Sequence, residues 1–197
     1  MKNIWVNTDR RCEEVYKFVK SKIDTKNKIS MRVEGNSWGI CCNSFHYVDL
    51  FNFLSNQQLC TIKEKSFLRW FPAKRKGFQE LDNVKLQLKF GNHELSLFSK
   101  KNSLPKNLKI LIKNKKKIFY IKEKTDFFEL KYKKKTMLFK NQPLSVKMTD
   151  TIKKILLTNR SKLPNYLNST KLYLPLIDFF LKKWRIKFPK SLKVPIT

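Results

Sequence analysis

FLRWFPAKRKGF (67–78), ELDNVKLQLKFGNHELSLF (80–98) and SLPKNLKILIKNKKKIFYIK (103–122) make up the stretch on which the fold turns. Val84, Leu86, Leu88 and Phe90 alternate with Lys85, Gln87 and Lys89. A period of two is what a half-buried strand needs, because successive side chains point to opposite faces. Gly91-Asn92-His93 interrupts the run, and Leu95 and Leu97 resume it. Leu108, Ile110 and Ile112 alternate with Lys109 and Lys113, and after Asn114-Lys115-Lys116-Lys117 the chain enters Ile118-Phe119-Tyr120-Ile121. The pattern predicts strand, turn, strand, loop, strand, turn, strand: an antiparallel sheet with one apolar and one cationic face.

Working outward, residues 9–23 place Cys12, Val15, Tyr16, Val19 and Ile23 on one helical face. Thr8 or Asp9 is placed to cap that helix, with Glu13 and Glu14 in its first turns. Residues 29–34 alternate as a strand, Gly35-Asn36-Ser37 turns the chain, and Trp38 to Phe45 is the expected partner strand. Periodicity leaves Val48 to Leu54 open between strand and helix; Leu59 to Lys65 suits a further strand. Downstream, Asp126 and Glu129 have capping-box spacing, which predicts a helix through Phe127, Phe128 and Leu130 with lysines in its last turns. Residues 141–148 read as a linker. Thr149 would cap a helix through Ile152, Ile155 and Leu156, and Pro175 would stand in the first turn of a last helix. The expected fold class is α+β, an antiparallel β-sheet with packed helices, open to a reading as two similar tandem units, plus a helical C-terminal extension. The expected division is an N-terminal α+β unit (1–65), a central α+β domain (66–140) and a helical basic extension (141–197).

The charge balance is extreme: 44 Lys plus Arg against 15 Asp plus Glu, a net +29 over 197 residues. Self-repulsion on that scale opposes compaction unless a polyanion is bound, and solubility alone needs far less. Nucleic acid is the polyanion this implies, with each lysine releasing a counterion from a phosphate. The cations are spread along the chain rather than gathered on one recognition helix, which suits a protein packed among many phosphates. Arg69, Lys74, Arg75 and Lys76 crowd an entry loop among aromatics (Phe67, Trp70, Phe71, Phe78), a mixture suited to RNA phosphates and bases. Lys115, Lys116 and Lys117 at a hairpin tip would repel one another unless phosphates lie between them. Lys89 and Lys113 on the sheet face, and Lys131, Lys133, Lys134 and Lys135 on the expected helix, complete the candidate contacts.

Cys12, Cys41, Cys42 and Cys60 form no C-x-x-C pair, and a Cys41, His46, Cys60 zinc site is weaker than a reading as plain buried thiols. A reducing compartment follows, and neither a membrane span nor a signal peptide is expected. No G-x-S-x-G, H-E-x-x-H or G-x-x-x-x-G-K-[ST] motif occurs, and no acidic cluster suggests a metal-dependent nuclease. No catalytic residue, metal or cofactor is therefore expected. Ala73 is the only alanine, while Lys, Asn, Ile, Leu and Phe abound. That usage favours A- and T-rich codons, as in a small organelle genome.

Gly77-Phe78, Leu86-Gln87-Leu88-Lys89-Phe90-Gly91-Asn92-His93, Leu104-Pro105 before the strand Leu108 to Ile112, and Lys124-Thr125-Asp126 follow one another as in a known family. Over residues 67–138 the chain resembles the second domain of the sixth protein of the bacterial-type large ribosomal subunit. The family's Y-K-G-K-G loop has no counterpart here. The resemblance implies two similar α+β domains in tandem, with residues 1–65 a degenerate first repeat, and places His93 near rRNA phosphate. The expected function is a structural, non-enzymatic part of a mitochondrial large ribosomal subunit that binds rRNA and supports translation. The expected partners are rRNA and neighbouring ribosomal proteins, with no small-molecule substrate. The alternatives are another organellar ribosomal protein of either subunit, an RNA-processing or intron-associated enzyme, and a plastid-type organelle as the location.

Overall fold

The alternating runs assemble into one sheet. The structure is a computed structural model and describes residues 4–59, 61–64, 69–100 and 108–196. The expectations for Cys60, Phe67 and Leu104-Pro105 lie outside the described residues. Strands β1 (Ile29–Asn36), β2 (Thr61–Glu64), β3 (Arg69–Pro72), β4 (Gln79–Asp82), β5 (Val84–Phe90), β6 (His93–Lys100), β7 (Leu108–Asn114), β8 (Lys117–Glu123), β9 (Phe127–Tyr132) and β10 (Lys135–Lys140) follow in chain order. Eight of them form a sheet in the order β10-β9-β8-β7-β1-β6-β5-β2, and β3 and β4 pair separately. The β1–β6 pair is parallel and every other pair is antiparallel. The class is α+β with a mixed, mostly antiparallel sheet.

The inward face carries the period-two residues. Val84, Leu86, Leu88, Leu95, Leu97, Ile110, Ile112 and Ile121 are fully buried. Helices α1 (Glu14–Lys22), α2 (Ile40–Ser55) and α4 (Tyr166–Lys187) cover that face with Val15, Val19, Phe51, Leu54, Leu176 and Phe180. Each such side chain taken from water is worth about 1.5–3 kcal/mol, so this layer dominates stability. The outward face is mixed rather than uniformly cationic. Lys89 pairs with Glu94 at 3.1 Å, Lys122 with Glu129 at 3.7 Å, and Arg32 with Glu34 at 2.6 Å.

Two stretches depart from the sequence expectation. From Ile40 on, the stretch Trp38 to Phe45 opens α2 rather than a strand. Gly39 stands at φ 74°, a left-handed turn that a side chain rarely adopts, and so feeds the chain from β1 into the helix. Trp38 stays outside the helix and its Nε1–H donates to the Phe98 carbonyl at 2.9 Å. The expected helix after Asp126 is the hairpin β9–β10. Phe128 and Leu130 point inward with a period of two, and Lys133 (φ 48°) and Lys134 (φ 60°) form its two-residue turn. That turn requires two left-handed residues, a task usually given to Asn-Gly. The variant Lys133→Asn/Lys134→Gly is expected to stabilise the protein by about 1 kcal/mol, a Tm rise of about 2–4 °C in a thermal melt. A lower Tm would show that the lysines contribute more than they cost.

The helix starts also shift. A short 3-10 turn at Asp9–Cys12 precedes α1, and neither Thr8 nor Glu13 makes a side-chain capping bond. Helix α3 (Leu144–Thr158) begins within the expected linker, five residues before Thr149. Helix α4 begins at Tyr166, where the Asn165 side chain accepts from the Asn168 N–H at 2.8 Å. Pro175 lies inside it.

His93 is buried, and its Nδ1 accepts from the Ile29 N–H at 3.0 Å, pinning the start of β1 to β6. It is a backbone clamp, not a surface contact. Burial holds its pKa below the ordinary 6.5. A depressed folded pKa gives stability that is present above 6.5 and lost as pH falls through the folded value. The thermal midpoint is therefore expected to fall on acidification below 6.5. His93→Gln, which keeps an acceptor but cannot titrate, should flatten that limb; an unchanged limb would assign it to another group.

Candidate functional site

The segment Thr8-Asp9-Arg10-Arg11 crosses the end of β8 and lies against α2. It delivers two guanidinium groups to two carboxylates, Asp49, which is buried, and Glu123, which is partly buried. Arg11 Nε donates to Asp49 Oδ2 at 2.8 Å and its Nη2 to Asp49 Oδ1, a two-pronged pair on a side chain with no exposure. Fork-on-fork contact of this kind fixes orientation as well as charge. Arg10 donates to Glu123, which also accepts from Tyr16 and, at 2.9 Å, from Tyr47. The Arg10 guanidinium lies 4.1 Å above the Tyr47 ring. Burial and the Glu123 charge push both phenols far above their ordinary range.

His46 stands three residues before Asp49 on α2, and so on the same helical face. Its ring is half-buried, and its Nδ1 is buried with no hydrogen-bond partner. Burial and then the Arg10 charge lower its pKa, against the pull of Asp9, Asp49 and Glu123. The imidazole is thus neutral near pH 7, with one nitrogen to give and one to accept a proton. Tyr173 on α4 also has a buried hydroxyl without a partner, its pKa raised by burial and by the Asp49 charge. Thr8 Oγ1, Ser44 Oγ, Ser99 Oγ and Ser169 Oγ are likewise buried without a partner, and His46 and Tyr173 are the two titratable groups of this kind, both beside the charged cluster. A salt-bridged clamp holds the segment from outside: Lys147 of α3 reaches Asp9 at 3.2 Å and also Glu13.

The N-terminus of α2 is already filled. The Cys41 N–H donates to Glu80 Oε2 at 3.0 Å, and Glu80 is buried with its pKa raised by desolvation. A Cβ on Gly39 would lie 3.0 Å from Asn43 Nδ2 and 3.5 Å from Glu80 Oε1. Two cavities open elsewhere. One of about 790 Å³ lies between α1, β10 and α3, and one of about 490 Å³ between Phe45, α4 and the C-terminal residues. Neither includes His46.

The residues expected to contact RNA are not brought together. Arg69 is on β3 and Lys74, Arg75 and Lys76 are on the β3–β4 turn. Lys113 is on β7, and Lys115 and Lys116 form the β7–β8 turn, where Lys117 donates to the Lys22 carbonyl. Lys89 pairs with Glu94, Lys131 with Glu129, and Lys133, Lys134 and Lys135 sit at the β9–β10 turn. His46 entered the sequence reading only as a zinc ligand; no group of three metal-ligating side chains occurs among the described residues. The H-x-x-D spacing of His46 and Asp49 was the available signal, hidden while Val48 to Leu54 stood open between strand and helix. Among the described residues no helix is long and apolar enough to cross a membrane.

No family model and no curated protein matches the chain. Solved structures do. A UDP-N-acetylglucosamine 3-dehydrogenase from Acidithiobacillus ferrooxidans matches with TM-score 0.64 at 6% identity, over 86% of this chain and 58% of that one. A putative NADPH-dependent oxidoreductase from Desulfitobacterium hafniense matches with TM-score 0.63 at 13% identity, over 92% and 62%. A Gfo/Idh/MocA family oxidoreductase from Vibrio cholerae matches with TM-score 0.54 at 15% identity, over 91% and 62%. The chain thus spans less than two thirds of the length of these neighbours. The neighbours overturn the ribosomal reading. The resemblance to the sixth large-subunit protein, the assignment to rRNA and ribosomal neighbours, and the exclusion of enzymatic function and small-molecule substrates all give way. The physical reason is that alternating lysine-rich strands suit any sheet with one wet face, whereas the order of eight strands distinguishes folds. What the chain shares with these oxidoreductases is their fold.

Proposed function

We propose that this chain forms the substrate-handling part of a small-molecule oxidoreductase, with His46 exchanging a proton with a hydroxyl or carbonyl oxygen of the substrate. The observation that carries this reading is the buried, unpartnered Nδ1 of His46 beside the Arg10–Glu123 and Arg11–Asp49 pairs. A neutral imidazole poised near pH 7 suits general acid–base work, and fixed charges around it preorganise the site. Arg10 and Asp49 act as positioning residues. Tyr173 supplies a second group able to hydrogen-bond the same substrate.

The nicotinamide cofactor named for one neighbour does not fit the residues described. Dinucleotide sites place pyrophosphate at a helix N-terminus after a strand and a glycine turn. The one such junction whose glycine turns the chain straight from a strand into a long helix, β1 to α2, holds the Glu80 carboxylate where a phosphate would sit. The described sheet contains one parallel pair rather than a doubly wound set. No hydride step is therefore assigned to this chain, and its contribution is the proton.

The test is NMR of the ¹³C,¹⁵N-labelled His46 ring. The expected pKa lies below 6.5. Titration with UDP-N-acetylglucosamine or a small hydroxy acid such as lactate should move the ring signals, and His46→Gln should weaken binding about tenfold, the loss of one well-placed hydrogen bond. A ring that ignores every such compound, with affinity unchanged in the variant, would sink the reading.

A further inference from the structure

The larger cavity, about 790 Å³, is lined from one side by residues 11–14 and Lys17 and from the other by β10 and α3, and it lies apart from His46. Its charged lining sorts into engaged and free groups. Arg11 is committed to Asp49, Lys17 to Glu14 at 2.6 Å, and Lys147 to Asp9 and Glu13. The ammonium groups of Lys140 at the end of β10, Lys154 on α3 and Lys162 on the following loop make no hydrogen bond or ion pair among the described residues. Three elements thus bring three unpaired ammonium groups to one concavity, and their mutual repulsion is relieved by an anion. One unpaired carboxylate, Asp150, shares the rim, so the unpaired groups alone carry a surplus of two positive charges, offset in part by the second of the two carboxylates that Lys147 holds.

The remaining walls are apolar. Phe53 and Phe139 are half-buried, and Leu138 and Val146 remain 67% and 55% exposed. Large exposed apolar side chains inside a cationic hollow call for an amphipathic occupant. A phosphomonoester carries close to two negative charges at neutral pH and three acceptor oxygens. A carboxylate offers one charge and two oxygens. We propose that this cavity binds a soluble organic phosphomonoester, its phosphate held by Lys140, Lys154 and Lys162 and its apolar body lying against Leu138, Phe139 and Phe53.

Calorimetric titration of the full chain with phenyl phosphate, inorganic phosphate and phenol at physiological salt tests this. Phenyl phosphate should bind saturably, inorganic phosphate about tenfold more weakly, and phenol not measurably. The variant Lys140→Gln/Lys154→Gln/Lys162→Gln should lose about tenfold or more in affinity for phenyl phosphate, and Asp150→Asn should tighten it. The control Lys133→Gln/Lys134→Gln/Lys135→Gln removes the same charge from the β9–β10 turn and should stay within about twofold. Equal losses in the two triple variants would show attraction to net charge alone and overturn the proposal. So would equal affinity for phenyl phosphate and inorganic phosphate, or no binding of either.

Discussion

Replacing Glu123 with leucine is expected to destabilise the protein by about 3–5 kcal/mol. The carboxylate is the shared acceptor of Arg10, Tyr16 and Tyr47, and both tyrosines are fully buried. Leucine of similar size fills the space but strands a guanidinium and two hydroxyls in a low-dielectric setting. Leaving a buried charge uncompensated costs far more than a well-made pair contributes. For a chain of this size the Tm should fall by about 6–20 °C. Chemical denaturation gives the free energy directly, and Glu123→Gln, which keeps an acceptor, should lose much less. A leucine variant within about 1 kcal/mol of the parent would mean that the three donors find water.

Arg11→Met is expected to cost a similar amount, about 3–5 kcal/mol at neutral pH, because it strands Asp49. Burial raises the pKa of Asp49 above the ordinary 3.8, and the Arg11 hydrogen bonds and charge hold it down. Without Arg11 the pKa rises further. A raised folded-state pKa contributes stability that is present below the unfolded value and lost as pH rises through the folded one. The defect of the variant should therefore shrink in mild acid, where Asp49 takes a proton, and grow toward neutrality. Arg11→Met/Asp49→Leu should recover most of the loss, since an apolar replacement of both partners removes the stranded charge. Urea titrations of the three proteins at two pH values check this; a double variant as weak as the single one would place the defect in packing.

The strands were legible where alternation was clean. Val84–Phe90, Leu108–Asn114 and Ile118–Ile121 read directly as β, because one buried face leaves a period of two in the chain. Helix α2 was not legible. Ten of its residues are buried, among them Ile40, Cys41, Tyr47, Val48, Leu50 and Phe51, so it has no amphipathic stripe. Its aromatic and β-branched opening then imitates a strand. The β9–β10 hairpin was missed because its turn is Lys133-Lys134 without glycine, and because Asp126 and Glu129 imitate a capping box. The candidate site was harder still. Arg10, His46, Glu123 and Tyr173 come from four separate parts of the chain and meet only through tertiary packing. Net charge misled for a different reason: it constrains solubility and the sign of a partner, not the fold.

The position of β1 sets the order in which the protein can be made. This strand lies in the middle of the sheet, yet its parallel partners are residues 94–100 and its antiparallel partners residues 109–114. At ordinary synthesis rates the chain waits on the order of 3–13 s between Ser30 and Glu94, with both edges of β1 unpaired. Over that interval Ile29, Met31 and Val33 form an aggregation-prone strip, with Lys28 and Arg32 as its only charged guards before Glu34. The sheet cannot grow from β1 until β6 has been made; β7 to β10 can then add outward on the other side in chain order. Folding should accordingly be slow for the chain's length and its yield sensitive to translation speed and temperature, because the first strand made is paired only through contacts distant in the chain.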